Sequence, residues 1–123
     1  MEERLRGLCI KVKNELAEYN YNEAREEITE AMKLFPDSAV PHNLMGIWYE
    51  KQDCHIEGMK HFRAAWDLDP TFIPARYNMN SFGSFEGKKI CFYLDEECKN
   101  EIVKPKRKFV YDELGIAHME EIE

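Results

Sequence analysis

Leu5, Leu8, Cys9, Val12 and Leu16 recur at steps of three and four, with charged residues between them. That spacing lines one face of a helix over residues 4–19. Tyr19-Asn20-Tyr21-Asn22 breaks the pattern, and Asn22 is placed to cap a second helix that carries Glu23 in its first turn. This helix spans about residues 23–34, with Ala24, Ile28, Ala31 and Met32 inward. Pro36 stops it, because proline cannot continue the hydrogen-bond ladder. Ser38 caps a third helix that keeps Pro41 in its first turn and extends to Lys51. Gln52-Asp53-Cys54 turns the chain into a fourth helix over 55–68, ended by Asp69-Pro70. A fifth opens at Ile73 and continues to about Asn80.

The pattern repeats itself. Ala24, Ile28, Ala31, Leu34 and Pro36 return as Gly58, Phe62, Ala65, Leu68 and Pro70, each pair 34 residues apart. A fixed period of that length predicts stacked helical hairpins, each burying one face against its neighbours. Gly46 and Gly58 fall where the two helices of one hairpin cross, where small residues permit close approach. Tyr49 and Phe62 are expected to fill the space beside that crossing.

The second unit carries His42-x-x-Met45-Gly46-x-x-Tyr49, then Gly58-x-x-x-Phe62, Ala65 and Pro70. It resembles the tetratricopeptide repeat (TPR) family, with His42 and Met45 standing where Trp and Leu are usual. The first unit fits through Leu8, Ala24, Ile28, Ala31 and Pro36, with Val12 and Glu15 replacing the usual small and aromatic residues. The third fits only through its first helix. The resemblance covers about residues 4–82. It implies an all-α fold of TPR-like antiparallel hairpins in a short solenoid, with units at about 5–38, 39–72 and from 73.

Residues 83–123 depart from the repeat. Ile90-Cys91-Phe92-Tyr93-Leu94 and Lys108-Phe109-Val110-Tyr111 are short β-branched and aromatic runs flanked by charge. They can pair as a β-hairpin, with Pro105 at its edge, or a short helix can form near 97–103. A frayed helix is expected over 112–122. Two and a half repeats fall short of the three or so that a stack needs, so this tail, or a second copy of the chain, must cover the last helix. Ile90, Phe92 or Leu94 are the residues expected to pack there, with Phe109 and Tyr111 as further candidates.

Composition narrows the function. The 123 residues suffice for one core, and 44% apolar with 33% charged is ordinary for a soluble domain. Seventeen basic against 24 acidic residues give a net charge of −7. That balance argues against general binding to nucleic acid or anionic membrane. The basic run 104–108 before Phe109 reads as solvated charge balancing Asp95, Glu96 and Glu97. No apolar run reaches the ~20 residues of a membrane helix, and Met1-Glu2-Glu3-Arg4 lacks a secretory layout. The cytoplasm is therefore expected, with Cys9, Cys54, Cys91 and Cys98 as free thiols.

Chemistry has no visible carrier. The sequence holds no Gly-rich phosphate loop, nucleophile elbow or paired metal-ligand spacing. Cys54, His55 and His61 are too poorly spaced for a zinc site, and Cys9 has only Lys13 one turn away. Neither catalytic residues, metal ligands nor a cofactor are expected. The TPR resemblance implies instead that the first helix of each unit lines a concave groove that binds another protein or a peptide. Carried over by register, Arg6, Cys9, Lys13, Asn43, Ile47, Glu50 and Tyr77 face that groove. They would suit a short peptide bearing an acidic group. The carboxylate clamp of chaperone adaptors is set aside, because Cys9, Lys13, Leu44, Pro74 and Asn78 stand where it needs Lys, Asn, Asn, Lys and Arg. The alternative role is self-association as a homodimer.

Overall fold

The computed structural model describes residues 2–84 and 89–98, together with the backbone of 108–111 and 117–120. Among the described residues, α-helices form close to the positions the apolar spacing predicts. They are α1 (Glu3–Ala17), α2 (Tyr21–Leu34), α3 (Ala39–Lys51), α4 (His55–Leu68) and α5 (Ile73–Phe82). Each packs against the next in sequence, and α3 also meets α1 and α5. The odd-numbered helices therefore lie side by side in one layer, with α2 and α4 behind them. As the middle helix, α3 is enclosed on several sides. Its buried run of Ala39, Val40, Pro41 and Asn43 to Ile47 goes almost round the helix, where α1 buries a single stripe of Leu5, Cys9, Val12 and Leu16.

The closest packing is between α3 and α4. A Cβ on Gly46 would lie 2.5 Å from the Phe62 ring and 3.0 Å from the Gly58 carbonyl oxygen. A Cβ on Gly58 would lie 2.8 Å from Glu50 Cγ and 3.0 Å from the Gly46 carbonyl oxygen. The two backbones thus touch where the sequence expects them to. Phe62 is fully buried beside the crossing and stacks on Phe82 of α5, with ring centroids 5.8 Å apart. The Trp48 indole N–H donates to the Tyr21 carbonyl at 2.9 Å and ties the second hairpin to the first.

Helix ends follow local chemistry. Ser38 Oγ accepts the Val40 N–H at 3.1 Å, as its position predicts. The second helix corrects the expectation: it begins at Tyr21, so Asn20 flanks it and Asn22 lies inside it. The C-termini of α1 and α3 repeat one another at the 34-residue period. Asn20 N–H reaches the Glu15 carbonyl and Tyr19 N–H that of Leu16, while Cys54 N–H reaches Tyr49 and Asp53 N–H reaches Glu50. These are paired Schellman closures. Each puts a non-glycine residue in the left-handed region, Tyr19 at φ 64° and Asp53 at φ 63°. Tyr19 is largely exposed, so Tyr19→Gly sheds that steric cost and loses little packing. We expect it to raise stability by about 0.5–1 kcal/mol in denaturant unfolding, the glycine's unfolded-state entropy offsetting part of the gain.

After α5 the chain differs from the expected cap. Residues 89–93 form no strand or helix, the chain bends at 94, and a single helical turn follows at 95–98. The run at 108–111 pairs instead with 117–120, as antiparallel strands β1 (Lys108–Tyr111) and β2 (Ala117–Glu120) with Val110 opposite His118. The expected helix over 112–122 is thus replaced by strand at 117–120. The rest of that expectation, Pro105 and the basic run before residue 108 lie outside the described residues. Among the described residues, no helix is long and apolar enough to cross a membrane.

Candidate functional site

The inner faces of α1, α3 and α5 meet in one surface, and residues 89–98 run across it as a strap. The strap is deeply buried at its centre, where Phe92 is 4% exposed, Tyr93 4% and Leu94 7%, and again at its end, where Cys98 is 0% exposed. The strap therefore packs on the inner face of the helices rather than over the outer flank of α5. Of the residues expected to cover the last helix, Phe92 and Leu94 are buried and Ile90 is exposed.

A buried segment with no helix or strand ladder of its own must find partners for its N–H and C=O groups. Two side-chain amides supply them at Phe92. Asn78 Oδ1 accepts the Phe92 N–H at 2.8 Å, and Asn78 Nδ2 donates to the Phe92 carbonyl at 2.9 Å. Asn43 Nδ2 donates to the same carbonyl at 3.1 Å, and its Oδ1 accepts a second proton from Asn78 Nδ2 at 2.7 Å. Both asparagines are fully buried. One amide with a donor and an acceptor thus copies the hydrogen-bonding edge of a neighbouring strand. Further back along the strap, Ser81 Oγ accepts the Ile90 N–H at 2.8 Å.

Side chains then set direction. The Phe92 ring meets Tyr77 edge-on, with centroids 5.3 Å apart. Lys13 Nζ sits 5.6 Å above the Tyr93 ring and pairs with Glu97 at 2.6 Å. Glu97 also accepts the Tyr93 N–H at 2.7 Å and the Leu94 N–H at 3.3 Å, which caps the helical turn. Arg6 pairs with Glu96 at 2.5 Å, and this contact holds its guanidinium above its ordinary pKa. Arg6 and Lys13 of α1 therefore meet the acidic end of the strap.

Of the seven sequence-predicted residues, Arg6, Lys13, Asn43 and Tyr77 contact the strap, while Cys9 and Ile47 join the buried core. Their condition differs from an open groove, since Cys9, Asn43 and Ile47 are fully buried. Glu50 is the exception. Its carboxylate turns toward α4, packs over Gly58 and meets His55 Nδ1 at 2.8 Å. Burial raises its pKa and His55 opposes that shift. Sequence reasoning missed the working roles of Asn78 and Ser81. Ser81 carries a readable signal, since it repeats the register of Lys13 and Ile47. Asn78 repeats the register of Leu44, and there a polar residue in a buried position was the available cue.

The thiols at this face are poor nucleophiles. Burial pushes Cys9 and Cys98 up to about 12, so both stay protonated at neutral pH. The Arg6 charge opposes that shift at Cys9 without overcoming it, and both nearby cations are paired, Arg6 with Glu96 and Lys13 with Glu97. Cys54, His55 and His61 do not cluster, and among the described residues no three potential ligands surround a metal position.

A second polar pair lies between α3 and α4. His42 Nδ1 and His61 Nδ1 are 3.3 Å apart, and the rings lie 24° from parallel with centroids at 5.5 Å. The rings thus meet edge to edge, and one must donate to the other. Tyr49 stacks on His61 from the other side at 5.4 Å. Burial lowers the pKa of both histidines, and a charge on His42 lowers that of His61 further, with Glu57 opposing it. Groups whose folded pKa lies below the unfolded value stabilise the fold above the unfolded pKa and lose that contribution as pH falls. Stability should therefore decline as pH drops below about 6.5, the ordinary histidine value. The difference in Tm between wild type and His61→Gln should shrink over that range. A difference constant from pH 8 to pH 5 would contradict it. The comparison also cancels Glu15, which burial and then Glu27 raise to about 7.

Comparison with models of protein families, with curated proteins and with solved structures finds no match to this chain.

Proposed function

We propose that this chain is a protein-binding module of the TPR type, using the inner face of α1, α3 and α5 to hold an extended polypeptide segment. The observation that carries this reading is the amide clamp on Phe92. It grips main-chain atoms, which every polypeptide has, and it sits between side-chain positions that choose among them. The 34-residue register supports it. Cys9, Asn43 and Tyr77 occupy equivalent positions, as do Lys13, Ile47 and Ser81, so the repeat lays out two parallel rows across the face. Four free thiols suit a reducing compartment, and the cytoplasm is the proposed location.

The strap already occupies this face, so a partner binds by taking its place. An intramolecular segment competes at a high effective concentration, which keeps the face closed to weak or incidental ligands. Replacing Asn43 would disturb the strap as well as a partner, so side-chain truncation within the face is a poor test. Pinning the strap is a better one. Ser81 and Ile90 are adjacent, and Ser81→Cys with Ile90→Cys, in a Cys91→Ser background, offers a reversible disulfide. A partner recovered from native lysate by the reduced protein should bind the oxidised protein at least tenfold more weakly, about 1.4 kcal/mol. Equal binding to both forms would place the partner surface elsewhere.

A further inference from the structure

The strap is the one ligand whose fit to this face is visible, and its chemistry is distinctive. Going from residue 91 to residue 97 it presents Cys, Phe, Tyr, Leu, Asp, Glu and Glu. The aromatic half is buried and the acidic half meets cations. Phe92 is fixed by its main chain and by Tyr77, while Tyr93 lies under the Lys13 ammonium. Leu94 joins the main apolar cluster. Glu96 and Glu97 then take Arg6 and Lys13. The order of these contacts sets polarity, since a segment running the other way would bring its carboxylates to Ser81 and its aromatic rings to Arg6.

We infer that the partner is a protein segment of the same design, an aromatic pair and a leucine followed at once by acidic residues, and that residues 89–98 are its built-in competitor. This rests on the binding-face reading above and names the ligand class. Three features support it. The main-chain clamp accepts only an extended residue with a free N–H, which excludes proline at the Phe92 position. The two cations sit at one end of the face, so charge complementarity assigns the acidic end of the ligand. The face is complete without any residue of the strap, since Asn43, Asn78, Tyr77, Ser81, Lys13 and Arg6 all belong to α1, α3 and α5.

The observed affinity for a segment in trans then equals the intrinsic affinity scaled by the fraction of molecules with the strap released. Weakening the strap without touching the face must raise it. The probe is a fluorescein-labelled decapeptide with the sequence of residues 89–98, both cysteines replaced by serine. Its control carries amides in place of Asp95, Glu96 and Glu97. The proteins are the full chain as wild type, as Phe92→Ala and as Glu97→Gln. Fluorescence anisotropy should show the acidic peptide binding Phe92→Ala at least tenfold more tightly than wild type. Glu97→Gln should show a smaller gain in the same direction, and it decides the matter alone if Phe92→Ala fails to fold. On either variant the amide peptide should bind at least tenfold more weakly than the acidic one, and raised salt should narrow that gap.

Peptide binding no tighter to the variants than to wild type would overturn the competitor role. Equal binding of acidic and amide peptides would overturn the acidic-partner assignment. Both results differ from failure of the binding face itself, which the pinned strap reads with any partner.

Discussion

Phe62→Ala is expected to cost about 3–5 kcal/mol, the range for removing a fully buried aromatic ring whose surroundings close only in part. At this chain length that lowers Tm by roughly 12–20 °C, at about 4 °C for each kcal/mol. The surroundings explain why relaxation is limited. One side of the ring abuts Gly46, where no Cβ can enter, and the other stacks on Phe82. The α3 and α4 backbones already touch through Gly46 and Gly58, so they cannot move together to fill the space. Thermal unfolding of the variant by circular dichroism measures the effect. An unchanged Tm would mean that Phe62 does not occupy the crossing.

The second large effect concerns the strap. Asn78→Leu should cost about 2–4 kcal/mol, because the buried Phe92 N–H and Asn43 Oδ1 lose their partners together. Leucine fills similar space, as Leu44 does one repeat earlier, so packing is not the main loss. Asn78→Asp should not rescue the variant. It keeps an acceptor for the Phe92 N–H but turns a charged oxygen toward the Phe92 carbonyl, where Asn78 Nδ2 now donates. The cost is capped by the free energy of releasing the strap alone, since local opening relieves the orphaned groups. Urea unfolding gives the size of the loss. Limited proteolysis near Tyr93 shows whether it is spent on strap release, and Asn78→Leu with wild-type stability and wild-type resistance would contradict the clamp.

The helices were legible because each announces itself locally. Leu5, Cys9, Val12 and Leu16 repeat at the helical period, Ser38 sits where a cap must, and Pro36 and Pro70 stop what precedes them. The glycine crossing was legible because two small residues 12 apart fall on facing surfaces of one hairpin. The error at Asn22 is equally local, since Asn20 and Asn22 are both plausible flanking residues and only the turn geometry at Tyr19 chooses between them. The strand at 117–120 had a signal in the alternation of Ala117, His118, Met119 and Glu120. Ala, Met and Glu also favour helix, so the local composition does not choose between the two.

The binding face was half legible. Register alone brought Lys13, Asn43 and Tyr77 to one surface. It could not show what covers that surface, because the bond from Lys13 to Glu97 spans 84 residues and leaves no local pattern. Asn78 shows the same limit. Its position in the repeat says that it points inward, but only the arrival of Phe92 explains an amide at a site that holds leucine in the preceding unit. Glu50 failed for a different reason. A free carboxylate at that register would face the strap, but the bare Gly58 surface and His55 draw it to the other side.

The central claim is that the inner face grips an extended main chain, and the Phe92 amide reports on it most directly. Hydrogen exchange followed by NMR on the 123-residue chain should find that amide slowed at least about a thousandfold, roughly 4 kcal/mol of opening free energy. The neighbouring amides of Tyr93 and Leu94, held by Glu97, should be slowed to a lesser degree. In Asn78→Leu the Phe92 protection should collapse while the amides in the middle of α3 keep theirs. Exchange of the wild-type Phe92 amide at the rate of a free peptide, with α3 and α5 protected, would contradict the account.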